Sequence, residues 1–204
     1  MKLHIVGASN GKEIFRSFLK YRKQVPNAIP KIAFIKSHCV PGTKYPELIW
    51  PTASELGKDD VLLILPFGNE LQKGKYIRDS TPSRTFHLIN FVPECDTVFA
   101  DYMLDLQCRL MRYQCKILVV NAFFRFLCGC HVHPRLIPYI HRRNTELAKI
   151  LKPLSNVTVL DHRTLVSEKI WKIKRNPKLY MNLLRDSVHF KDNDVIARRI
   201  YGYM

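Results

Sequence analysis

The chain has 204 residues, 47% hydrophobic and 25% charged, the proportions of an ordinary globular protein, which exclude disorder as the default and allow a sizeable core. Lys and Arg number 33 against 17 Asp and Glu, a formal net charge of +16 with a pI near 9.8; such a surface attracts phosphate backbones or anionic membranes in a salt-dependent way, and a basic protein with no nucleic-acid role fits it equally. No apolar stretch reaches the ~18 residues of a membrane span and the N-terminus lacks a signal-peptide run, so the expected setting is the cytoplasm or nucleus, with the six cysteines as reduced thiols, mostly in the core.

In chain order, KLHIVG (2–7) is a short buried-type strand. GKEIFRSFLKYRKQV (11–25) follows as a helix with Ile14, Phe15, Phe18, Leu19 and Tyr21 on one face. KIAFIKS (31–37) is a second strand, and DDVLLILPFGN (59–69) a third, whose uninterrupted apolar centre suits a parallel sheet covered on both sides. PECDTVFADYMLDLQCRLMRYQ (93–114) carries Val98, Met103, Leu106, Leu110 and Met111 at helical spacing, and CKILVVNAFF (115–124) is a fourth strand. The helix PRLIPYIHRRNTELAKILKPL (134–154) leads to a fifth strand, NVTVLD (156–161). DSVHFKDNDVIARRIYGYM (186–204) reads as a loop and a final helix capped by Asp192 or Asn193.

Strands alternating with helices predict a three-layer α/β/α sandwich around a five-stranded, mostly parallel, flavodoxin-like sheet with right-handed crossovers. No internal repeat or linker interrupts it, so a single domain over 1–204 is expected. Ligands of such sheets sit at the carboxyl ends of the strands. There the sequence lines up GASN after strand one, SHCVPGTKYPEL after strand two, PFGNEL after strand three, and DSVHF before the final helix. Taken singly, Ser9 is a turn or cap residue, Gly42 and Gly68 are turn glycines, Asn69 is turn chemistry, and Asp186 with His189 is a polar loop.

Taken together and in order, these blocks resemble the SGNH, or GDSL-type, serine hydrolase family over the whole chain. The first block is similar to Gly7-Ala8-Ser9-Asn10, the second contributes Gly42, the third is similar to Gly68-Asn69, and the Asp-x-x-His block is matched by Asp186 and His189. The resemblance implies Ser9 as nucleophile, His189 as general base and Asp186 as its orienting carboxylate. It further implies an oxyanion hole from the Ser9 and Gly42 N–H groups and the Asn69 amide. Two positions depart from the family: Ala8 stands where an aspartate is usual, and Glu70 where an aspartate often follows the oxyanion asparagine. The substrate expected on this reading is a small-molecule or polymer-borne ester, with no metal or organic cofactor.

FLCGCHVHP (126–134) brings together Cys128, Cys130, His131 and His133. These are zinc-type ligands, but they lack the second, distant pair of a structural site, which favours a packed loop at the active edge. His131 and His133, with Asn10 beside the nucleophile, are then candidate substrate contacts. Positive charge concentrates in YIHRRN (139–144), with Arg142 and Arg143, and in KIWKIKRNPKLY (169–180). The latter interleaves Trp171 and Tyr180 with Lys169, Lys172, Lys174, Arg175 and Lys178, the mixture with which single-stranded nucleic acids are held, and it is also a weak nuclear-import match. A second reading follows: a catalytically weak or inactive SGNH-fold protein that binds nucleic acid or a ribonucleoprotein through these segments.

Overall fold

A computed structural model describes residues 1–24, 32–41, 43, 45–67, 95–121, 136–166 and 193–204. Five strands, β1 (Lys2–Gly7), β2 (Phe34–Cys39), β3 (Val61–Leu65), β4 (Lys116–Val120) and β5 (Val157–Leu160), form one sheet in the order β2-β1-β3-β4-β5. Every pairing is parallel. The central strand β3, VLLIL, is buried along its whole length, which is why its apolar run is unbroken where an exposed sheet face would demand alternation. The edge strand β5 is only partly buried, and its threonine marks that difference.

Among the described residues five helices connect and cover the sheet: α1 (Ser9–Gln24), α2 (Cys95–Leu110), α3 (Leu136–Leu151), α4 (His162–Val166) and α5 (Asn193–Tyr201). α1 packs on α5 on one side of the sheet, and α2 on α3. Ile14 and Phe18 of α1 are fully buried while Phe15, Leu19 and Tyr21 pack at the margin of the core, the face that helical periodicity predicts. In α5, Ile196, Ala197 and Ile200 turn inward. This α/β architecture, with its five-stranded parallel sheet, is the expected one.

Several boundaries shift for identifiable reasons. α1 begins at Ser9, two residues before the expected start, because the two glycines flanking that turn let the helix start flush against the sheet. β3 stops at Leu65, short of the expected Asn69, since Pro66 has no N–H to give a ladder. α2 ends at Leu110, and Met111, expected on its buried face, is 68% exposed. Between β2 and β3, Tyr45–Glu47 and Ala53–Glu55 form short 3₁₀ turns, and Tyr45 is nearly fully buried there, donating its hydroxyl to Asp105 Oδ2 at 2.8 Å.

Candidate active site

The carboxyl edge of the sheet is set by register. Gly7, Cys39 and Leu65 lie on one rung across β1, β2 and β3, and the Val40 N–H donates to the Gly7 carbonyl at 3.2 Å. A side chain at Gly7 would press to 3.2 Å against Leu65 Cβ and its carbonyl oxygen. One at Gly11 would meet Cys39 Sγ at 2.7 Å, closer than real contacts allow. A side chain at Gly11 would therefore force Cys39 to shift: the first turn of α1 lies directly over that rung. The strand order places this turn at the topological switch point, where β2 departs to one side of β1 and β3 to the other.

Ser9 is the first helical residue there, and it is half-buried. The Ala8 carbonyl accepts from Lys12 N–H at 3.1 Å, which makes Ala8 the N-cap residue. Its methyl group offers no acceptor to the N–H groups of the first turn, and that turn contains no acidic residue. These donors and the positive end of the helix axis lie beside the Ser9 hydroxyl, the electrostatic setting in which developing negative charge is stabilised. Cys39 is no rival nucleophile: burial pushes its thiol up to about 11, and Sγ donates to the Ile5 carbonyl at 3.4 Å.

The described histidines are each held elsewhere. His4 and His38 are buried on β1 and β2, 3.1 Å apart between Nδ1 and Nε2, with burial lowering both below their ordinary value. His38 alternates with Cys39 along β2 and so faces the other side of the sheet from α1. His162, which follows β5, is fully buried; its ring Nδ1 lies 2.6 Å from Asn121 Oδ1 and its backbone N–H donates to the same oxygen at 2.9 Å. Burial carries it down to about 3, so it is neutral, and three strand spacings of ~4.8 Å separate its strand from β1. His141 on α3 sits beside Arg163, Nδ1 to Nη1 at 3.5 Å.

Of the predicted site residues, Ser9 stands at the rim. Asn10 is buried, 6% exposed, which leaves little of it for a substrate. Gly42, Asn69, Asp186, His189, His131, His133, Lys169, Trp171, Lys172, Lys174, Arg175 and Lys178 lie outside the described residues. On α3, Arg142 is exposed, but Arg143 is not the solvent-facing contact expected of it. Its side chain is 10% exposed and its Nη1 donates to Glu146 Oε2 at 2.5 Å, because a position one residue round the helix from Arg142 falls on the inner face.

Sequence reasoning missed the other half of the same edge. Asn121 follows β4, and Asp161, His162 and Arg163 follow β5; Asp161 Oδ1 accepts from both the backbone N–H and Nε of Arg163 at 2.9 Å. The available signal was a polar residue directly after each apolar strand, which says where a strand ends but not what it touches. Among the described residues no group of three metal-type ligands converges, and no helix is long and apolar enough to cross a membrane.

No protein-family model and no curated protein sequence matches the chain. Solved structures do match. The acetyl xylan esterase AlAXEase superposes with a TM-score of 0.60 at 16% identity, covering 100% of both chains. A Streptococcus pneumonia protein provisionally assigned as a platelet activating factor gives a TM-score of 0.60 at 12% identity, covering 98% of this chain and 82% of the other. The fold is shared with an esterase from end to end.

Proposed function

We propose that the protein is a serine ester hydrolase that cleaves an acyl ester, carried on a small molecule or a polymer, through an acyl-enzyme on Ser9. The observation that carries this reading is the seat of Ser9: first residue of α1, half-buried, at the switch point of the sheet and beside first-turn N–H groups to which Ala8, the N-cap residue, offers no side-chain acceptor. Ser9 Oγ attacks the acyl carbon as its proton passes to a histidine, the oxyanion takes the N–H donors, and the alcohol leaves with that proton. Water then attacks the acyl-enzyme by the same route in reverse.

The chain has eight histidines. Four of them, His4, His38, His141 and His162, are committed as described, and of the rest only His189 stands in an Asp-x-x-His spacing, with Asp186 to orient it. Chain length supports the pairing. Asp194 bonds Lys20 at 2.6 Å, about 16 Å along α1 from Ser9 at 1.5 Å per residue, and the five residues from His189 to Asp194 span up to about 17 Å. In this reading Gly42 N–H and the Asn69 amide complete the oxyanion hole with Ser9 N–H, each donor contributing about 3–4 kcal/mol to the transition state.

A fluorophosphonate probe tests this directly. Labelling of the folded protein that disappears in Ser9→Ala, and falls at least 100-fold in rate in His189→Ala, is the expected result. Well-folded protein that takes no label refutes the enzyme and leaves an inactive protein on an esterase fold.

A further inference from the structure

One face of α1 has no role in the catalytic reading. Along its solvent side run Lys12, Arg16, Lys20 and Lys23, spaced four, four and three residues apart, so they fall within one arc of the helix. That arc lies opposite Ile14, Ser17 and Phe18, the buried residues. The side chains of Arg16 and Lys20 are 63% and 57% exposed, Lys23 is exposed and Lys12 half-buried. Beside them on α5, exposed Arg198 lies 4.8 Å over the Tyr21 ring. Among the described residues two carboxylates answer these five cations: Glu13 pairs with Arg16 at 3.3 Å and Asp194 with Lys20 at 2.6 Å. The ridge is one helix wide and about 16 Å long.

We propose that this ridge, Lys12, Arg16, Lys20 and Lys23 of α1 with Arg198 of α5, is a docking surface for the sugar-phosphate backbone of a nucleic acid, bound without regard to sequence. Charge in a row at about 6 Å intervals suits a linear polyanion, and the groups are point charges and guanidinium forks that engage phosphate oxygens. An anionic membrane is the other polyanion a basic helix can meet, but membrane-seated helices carry large apolar side chains beside their cations. None of the large exposed hydrophobics of the described residues lies in α1 or α5. The ridge uses other residues than the 169–180 stretch of the sequence and is independent of Ser9 chemistry, although Ser9 opens the helix that carries it.

The test is anisotropy titration of labelled single-stranded and duplex oligonucleotides of unrelated sequence, from 50 to 300 mM salt, with full-length protein. Wild type binds all of them with similar affinity and a steep salt slope. Arg16→Gln/Lys20→Gln/Lys23→Gln loses at least tenfold at low salt, and its slope on the single strand falls by about 2, from 0.7 per phosphate contact removed. The charge-conserving Arg16→Lys/Lys20→Arg/Lys23→Arg keeps binding, which separates charge from folding, and Ser9→Ala binds as wild type whether or not the protein labels with the probe. Unchanged affinity and slope in the Gln variant overturn the proposal. So does binding to phosphatidylserine vesicles with none to oligonucleotides.

Discussion

The two halves of the sheet's carboxyl edge are built on opposite plans. At β2-β1-β3 the contacts are apolar and tight, glycine against Cys39 and Leu65, and the polar group, Ser9, is half-buried at a helix start whose N-cap residue, Ala8, offers no side-chain acceptor. At β4-β5 the polar groups turn inward. Asn121 receives two donors from His162, one at 2.6 and one at 2.9 Å, and Asp161 holds Arg163 through two atoms. These bonds offset the desolvation of the polar groups they join, a cost of about 1–3 kcal/mol for each group left unpaired. The glycine seam brings the first turn of α1, with half-buried Ser9, down onto the strand ends.

The contrast can be broken from the closed side first. His162 is neutral in the fold, pushed down to about 3 by burial, and near 6.5 when unfolded. As pH falls below 6.5 the unfolded chain takes a proton that the folded chain refuses, so stability drops until the folded group itself titrates. Between pH 6.5 and 4.5 that costs about 2–3 kcal/mol. His4 and His38 shift the same way and steepen the loss. Urea unfolding at the two pH values measures it, and His162→Gln, which still hydrogen-bonds Asn121, flattens the slope.

On the open side, Gly11→Ala sets a methyl 2.7 Å from Cys39 Sγ. Overpacking costs about 1–3 kcal/mol and the helix preference of alanine returns up to about 1, so a net loss near 1–2 kcal/mol is expected, with slower probe labelling of Ser9. Adding Cys39→Ala restores labelling and gives a favourable coupling of about 1 kcal/mol in a double-mutant cycle. The smallest effect is a gain. Ala8→Asp supplies the missing N-cap acceptor and an anion at the positive end of α1, raising stability by about 1 kcal/mol in thermal melts. An N-cap carboxylate takes the N–H of Asn10 or Gly11 and leaves that of Ser9 to the oxyanion, so the same variant keeps probe labelling.

The departure at Ala8 thus takes on a definite physical form. In the sequence it is an alanine where the resembled family usually has aspartate; in the structure Ala8 is the N-cap of α1 and brings no side-chain acceptor. Arg142 and Arg143 teach a similar lesson, since adjacent cations read alike as charge, yet helical geometry exposes one and ties the other to Glu146.

The alternation of strand and helix, the buried run of β3 and the inward face of α1 were determined by the sequence alone, because period and apolar burial are local properties of the chain. The tertiary structure decided the rest. It placed Gly11 against Cys39, turned Met111 outward, joined Asn121 to His162, and aligned the lysines and Arg16 of α1 beside Arg198 of α5. Those outcomes depend on which elements become neighbours, and contacts between residues far apart in sequence arise only when strand order and register bring them onto the same rung or face.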